Sequence, residues 1–88
     1  MKEADATVEM LRRRMRNLPF SEFARVCDGF FGEPRQDRSS HRVYRMPWRG
    51  DPRVNIQDAK GMAKPYQVRQ VIKAIEKLSN EGREEERS

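Results

Sequence analysis

One cysteine, one histidine and one tryptophan are all that the 88 residues contain of those types. A single thiol, Cys27, excludes an intramolecular disulfide and any thiolate cluster for zinc. A single imidazole, His41, excludes chemistry that needs two histidines. Hydrophobic residues amount to 35% and aromatics to 8%, which leaves one small domain whose core can supply only marginal stability. Long apolar runs are missing, and the start Met1-Lys2-Glu3-Ala4-Asp5 is polar and acidic. No membrane partner is therefore expected, and a reducing cytoplasm is the expected location. The acids Asp37, Asp51 and Asp58 fall on separate expected loops with no ligand-like spacing, so no metal or other cofactor is expected.

What the chain has instead is positive charge. Nineteen Lys and Arg stand against fourteen Asp and Glu, a formal charge of +5. That balance points to an anionic partner, nucleic acid first, with solubility as the plainer use. Arg12, Arg13, Arg14 and Arg16 surround an apolar stripe of Val8, Leu11, Met15 and Leu18. This predicts a helix over residues 5 to 18, with Asp5 as its cap and Pro19 as its stop. The basic run reads either as a solvated helix face or as an RNA-binding arm.

A second helix is expected from a Ser21 cap to a Gly29 stop. Phe23, Val26, Cys27 and Phe30 fall at i, i+3, i+4 and i+7. Cys27 lies on that stripe and reads as a small core hydrophobe. Three strands should follow, the first from Phe30 and Phe31 to about Arg38, with Pro34 at an edge. His41 to Met46 makes the second. Residues 47 to 52, which include Trp48, make the hairpin connection, and 53 to 57 make the third. Alternation puts Tyr44 and Met46 in the core with Val54 and Ile56, and puts His41, Val43 and Arg45 on the open face. Residues 58 to 64 are expected as a loop.

A last helix should begin at Pro65, with Val68, Val71, Ile72, Ile75 and Leu78 on its apolar face. Gln67, Arg69, Gln70, Lys73 and Lys77 should look outward. From Ser79 onward nothing apolar remains, so residues 79 to 88 are expected to be a disordered charged tail. The fold class is therefore α+β. It is a two-layer α-β-β-β-α domain over residues 20 to 78, of the double-stranded-RNA-binding type, with an extra basic helix over residues 1 to 19.

Ser39-Ser40-His41-Arg42-Val43-Tyr44 concentrates the chemistry. Imidazole exchanges a proton near neutral pH. Ser40 and the arginines 38, 42 and 45 beside it, with Lys60 and Lys64 from the expected loop, are candidates for phosphate contact. Such groups suit metal-independent RNA cleavage, in which a 2′-hydroxyl attacks the adjacent phosphate. A second proton-transfer group would have to be water, a hydroxyl or a lysine. Trp48 reads either as a base-stacking aromatic or as a lid over the core.

Ser40-His41 with Tyr44 three positions on, then Met46-Pro47, a Lys60/Gly61/Lys64 loop and Arg69 in the last helix, together resemble the HicA toxins. These belong to bacterial type II toxin–antitoxin systems. The run Lys64-Pro65-Tyr66-Gln67-Val68-Arg69-Gln70 also looks like one branch of that family. The resemblance covers residues 21 to 78, about two thirds of the chain. It implies a double-stranded-RNA-binding-type fold, an endoribonuclease acting on mRNA, a catalytic role for His41 and a HicB-like antitoxin as partner. Ser39 stands where the family motif has glycine. A non-catalytic RNA-binding module on the same fold, and a protein-interaction domain, are the readings from other classes.

Overall fold

The computed structural model describes residues 2–34, 36–38, 41–46 and 53–87. Three helices, α1 (Lys2–Arg13), α2 (Phe20–Phe31) and α3 (Pro65–Arg87), accompany four strands: β1 (Gln36–Arg38), β2 (His41–Arg45), β3 (Arg53–Ala59) and β4 (Met62–Ala63). The strands form one antiparallel meander in the order β1-β2-β3-β4. The α+β class expected from the sequence is thus the observed one.

Alternation decides which sheet face is covered. Tyr44, Met46, Val54 and Ile56 are buried, whereas Arg45, Arg53 and Asn55 are exposed. The buried set meets Phe23, Ala24 and Cys27 from α2 and Val68, Val71, Ile72, Ala74 and Ile75 from α3 in a single core. One face of the sheet therefore carries the helices, which makes two layers. Cys27 is fully buried within this core, and burial pushes its thiol well above the usual range, so it packs and does not attack.

α1 joins the same core through Ala4, Val8 and Leu11, spaced at i, i+4 and i+7, and it packs against α3. Arg12 pairs with Glu76 across that seam at 3.1 Å. The basic helix is thus an integral third helix of the helical layer. It ends at Arg13, earlier than the expected residue 18. A residue before proline is driven out of the α region, and Leu18 precedes Pro19. Leu18 instead accepts a hydrogen bond from the Ala63 backbone N–H at 2.8 Å, and Pro19 forms an isolated bridge to Met62. The Leu18 side chain is still fully buried.

α2 begins one residue before the expected Ser21 cap. Pro19 occupies the N-cap position, and its carbonyl accepts from the Phe23 N–H at 3.1 Å. The helix also runs through Gly29 and stops at Gly32, whose φ of 83° is the left-handed geometry that glycine adopts without penalty. Phe30 and Phe31 are consequently helical and do not lead into a strand. Both pack against the core, Phe31 with its ring 5.7 Å from that of Tyr44. β1 shrinks to three residues, and Pro34 lies in the connection before it.

The expected loop over residues 58 to 64 is a hairpin. β3 continues to Ala59, so Asp58 is a strand residue, and Lys60 and Gly61 turn at φ 54° and 88°. Two positive φ values in succession are the sign pattern of a type I′ turn, whose twist suits a tight hairpin. The Asp58 carboxylate accepts from the Gly61 N–H, and β4 then pairs Ala63 with Asp58. Phe20 N–H donates to the Gly61 carbonyl at 2.9 Å, which fastens the turn to the start of α2.

α3 starts at Pro65 as expected, with the Lys64 carbonyl accepting from the N–H groups of Gln67 and Val68. Val68, Val71, Ile72 and Ile75 are buried and Leu78 is half-buried. Gln67, expected to face outward, is only 5% exposed. β4 ends at Ala63, so Gln57 lies beyond its last strand pair. The Gln67 side-chain oxygen accepts the Gln57 backbone N–H at 2.8 Å in place of a strand carbonyl. The backbone stays helical to Arg87, through the stretch whose composition suggests disorder. Glu and Arg are good helix formers, and this stretch extends a helix already nucleated on the core.

Candidate nucleic-acid interface

Strand register turns a list of basic residues into a surface. Arg38 lies opposite His41, and His41 lies opposite Gln57. Gln36, Val43 and Asn55 make the next row, and Arg45 faces Arg53 in the third. Alternation assigns all eight of these positions to the sheet face away from the helices. None of the eight is an acid, while Arg38, Arg45, Arg53 and His41 are basic.

The helix-side face uses its charge differently. Arg42 Nη1 donates to both carboxylate oxygens of Asp28 on α2, at 3.1 and 3.0 Å. The Tyr44 hydroxyl donates to Asp28 Oδ1 at 2.6 Å. Burial pushes the Tyr44 phenol well above its usual range, and its bond to Asp28 adds to the shift. The Arg42 side chain, 24% exposed, is thus turned to α2, away from the face that carries Arg45. Sequence grouping by proximity put Arg42 beside Arg38 and Arg45; a strand's two-residue period separates it from them.

Lys60 and Lys64 flank β4. Lys60 is exposed at its turn, in a left-handed conformation that costs a non-glycine residue about 1 kcal/mol. Lys64 is half-buried, and its Nζ donates to Gln57 Oε1 at 3.0 Å. Gln57 is the residue opposite His41, so Lys64 reaches the row that holds the histidine. Arg69 does not: it lies in the α1–α3 seam, with Nη1 3.7 Å from Met15 Sδ. Ser40 and Trp48 lie outside the described residues, and Arg38 and His41 are placed here by their strand positions.

Sequence reasoning missed three residues that build this region. Asp28, read only as part of a helix, anchors Arg42 and Tyr44. Gln57 was the last residue of an alternating strand and carried no charge to mark it. Gln67 left a usable trace, because it sits four residues before Val71 and eight before Ile75, on the buried arc of α3.

Among the described residues no group of His, Cys, Asp and Glu could hold a metal ion. Among them, too, no helix is long and apolar enough to cross a membrane. No protein-family model, no curated protein and no solved structure matches the chain.

Proposed function

We propose that this chain is a HicA-like endoribonuclease. It would bind mRNA on the open face of its sheet and cleave it with the assistance of His41, without a metal. The helix–three strands–helix order from α2 to α3 is compatible with a double-stranded-RNA-binding-type frame, with β4 and α1 as additions. The observation that carries the reading is the strand register, which sets His41 between Arg38 and Gln57 in one row and puts four basic residues among the eight paired positions of that face. A polyanion meets basic positions there.

The chemistry follows from the groups available. The 2′-oxygen of one nucleotide forms a bond to its own 3′-phosphorus while the bond from phosphorus to the 5′-oxygen breaks. His41 takes the 2′-hydroxyl proton, and the leaving 5′-oxygen takes a proton from water. Guanidinium and ammonium groups offset the charge that builds on the phosphoryl oxygens. A cytoplasmic toxin restrained by a HicB-like antitoxin is the biological setting that the resemblance implies. The alternative is a non-catalytic RNA-binding module, favoured by the lack of a second histidine.

His41→Ala tests the reading. It should leave folding and most RNA affinity in place, because the arginines supply the phosphate attraction. It should lower cleavage about a hundredfold or more and abolish growth arrest in an expressing cell. A wild-type protein that binds RNA but neither cleaves it nor arrests growth would leave the binding module. Loss of the fold in His41→Ala would make the histidine structural.

A further inference from the structure

Gln57 and Lys64 form a contact that the cleavage chemistry alone does not explain. Directly opposed residues on one face of an antiparallel pair have Cβ atoms about 5 Å apart, and Gln57 is directly opposed to His41. The Gln57 side-chain oxygen holds the Lys64 ammonium at 3.0 Å. Its backbone N–H is fixed in turn by the buried Gln67 on α3, at 2.8 Å. Gln67 Nε2 also donates to the Tyr66 hydroxyl at 3.4 Å. One strand residue is thus anchored by a helix through its backbone and holds a cation through its side chain.

This anchoring matters for a flexible side chain. A lysine on an open surface samples many rotamers, and freezing it costs up to about 2 kcal/mol. A preorganised cation loses none of that freedom at the moment negative charge develops. Gln57 supplies a neutral acceptor. It can hold the ammonium without cancelling its charge, as an aspartate or glutamate would.

We infer that Gln57 is a positioning residue for phosphoryl transfer: it presents the Lys64 ammonium to the non-bridging oxygens of the 3′-phosphate that the neighbouring ribose 2′-hydroxyl attacks with the help of His41. The inference rests on the ribonuclease reading above. Gln57 itself touches no reacting atom. Its effect passes through Lys64, which offsets the charge gained by the phosphoryl oxygens as the 2′-oxygen–phosphorus bond forms. Lys60, on the turn beyond Ala59, carries no such restraint from Gln57 and serves as the comparison.

The test is a double-mutant cycle on the full chain, with a fluorescently labelled single-stranded RNA oligonucleotide as substrate. Gln57→Met keeps the backbone N–H that Gln67 accepts, so circular dichroism and the melting temperature should stay near wild type. Gln57→Met and Lys64→Met should each lower kcat about 10- to 100-fold, with KM changing less than about threefold. Combining them should cost little more than the worse single variant, since each removes the same device. Lys60→Met should raise KM and leave kcat close to wild type.

Multiplying losses in the double variant, or an unchanged kcat in Gln57→Met, overturn the positioning role. If Gln57→Met does not fold, Gln57→Ala takes its place in the cycle under the same criteria. A wild type that cleaves, with His41→Ala inactive and the cycle additive, removes this inference and leaves the ribonuclease reading standing. A wild type that does not cleave removes both.

Discussion

Arg42 and Arg45 are three residues apart in one strand, yet substitution should separate them completely. Arg42 pairs with Asp28 from the helix side of the sheet, at 3.0 Å, with side chains 24% and 44% exposed. Pairs at that exposure are screened by water and contribute at most about 1 kcal/mol. Loss of the Arg42 stem packed beside Tyr44 adds a little, so Arg42→Met should destabilise by about 1 kcal/mol. For a domain of this size, that lowers the melting temperature by about 4–8 °C. RNA affinity should stay close to wild type, and so should its dependence on salt. Arg45 is exposed on the open face. Arg45→Met should change stability by no more than about 0.5 kcal/mol. It should reduce the slope of log affinity against log salt by about 1, the loss of one phosphate contact. Thermal melts followed by circular dichroism, and fluorescence-anisotropy titrations of an RNA oligonucleotide between 50 and 300 mM salt, measure both quantities. The reasoning fails if Arg42→Met flattens the salt slope as much as Arg45→Met does, or if Arg45→Met is the variant that melts early.

Three further outcomes follow from the same structure. Cys27 and Tyr44 are both held neutral by burial, with folded-state values raised above those of the unfolded chain. Their stabilisation is therefore complete below the unfolded values and lost as the pH rises past them. Stability should fall above about pH 9, approaching about 1.4 kcal/mol per pH unit for each group once its unfolded form ionises. Urea titrations from pH 7 to 11 on wild type and Tyr44→Phe check this, and identical pH slopes would remove Tyr44 as a contributor. Gln67→Leu should cost about 1–3 kcal/mol by leaving the Gln57 N–H without its acceptor, and a neutral melt would show that water replaces it. Removing residues 81 to 88 should diminish the helical circular-dichroism signal while moving the midpoint of denaturation by less than about 0.5 kcal/mol. A larger loss would mean that the end of α3 docks on the body.

Local periodicity made much of this fold legible. Val68, Val71, Ile72 and Ile75 marked the buried arc of α3, and Val54 and Ile56 marked the inward face of β3. Tyr44 and Met46 were assignable to the core because the other choice buried Arg45. Cys27 was readable as a packing residue from its place on the stripe of α2. These assignments depend on residues two to four apart, whose relation the backbone geometry of a helix or strand imposes wherever it forms. The histidine's strand and the excess of basic residues were equally visible in the chain.

Element ends and charge partners were decided elsewhere. Helix α1 stops at Arg13, and Leu18, placed on the expected helix, instead hydrogen-bonds Ala63, far along the chain. A two-residue strand such as β4 has too little periodicity to announce itself, and it exists because β3 offers it a partner. Gln67 is buried because a strand ran out of carbonyls beside it. That Arg42 meets a carboxylate depended on Asp28 of α2 lying beside it in the folded chain. Periodicity determines which way a side chain leaves the backbone. Only the folded chain brings up the group that it meets there, because hydrogen bonds and ion pairs form between atoms that sequence separation leaves unrelated.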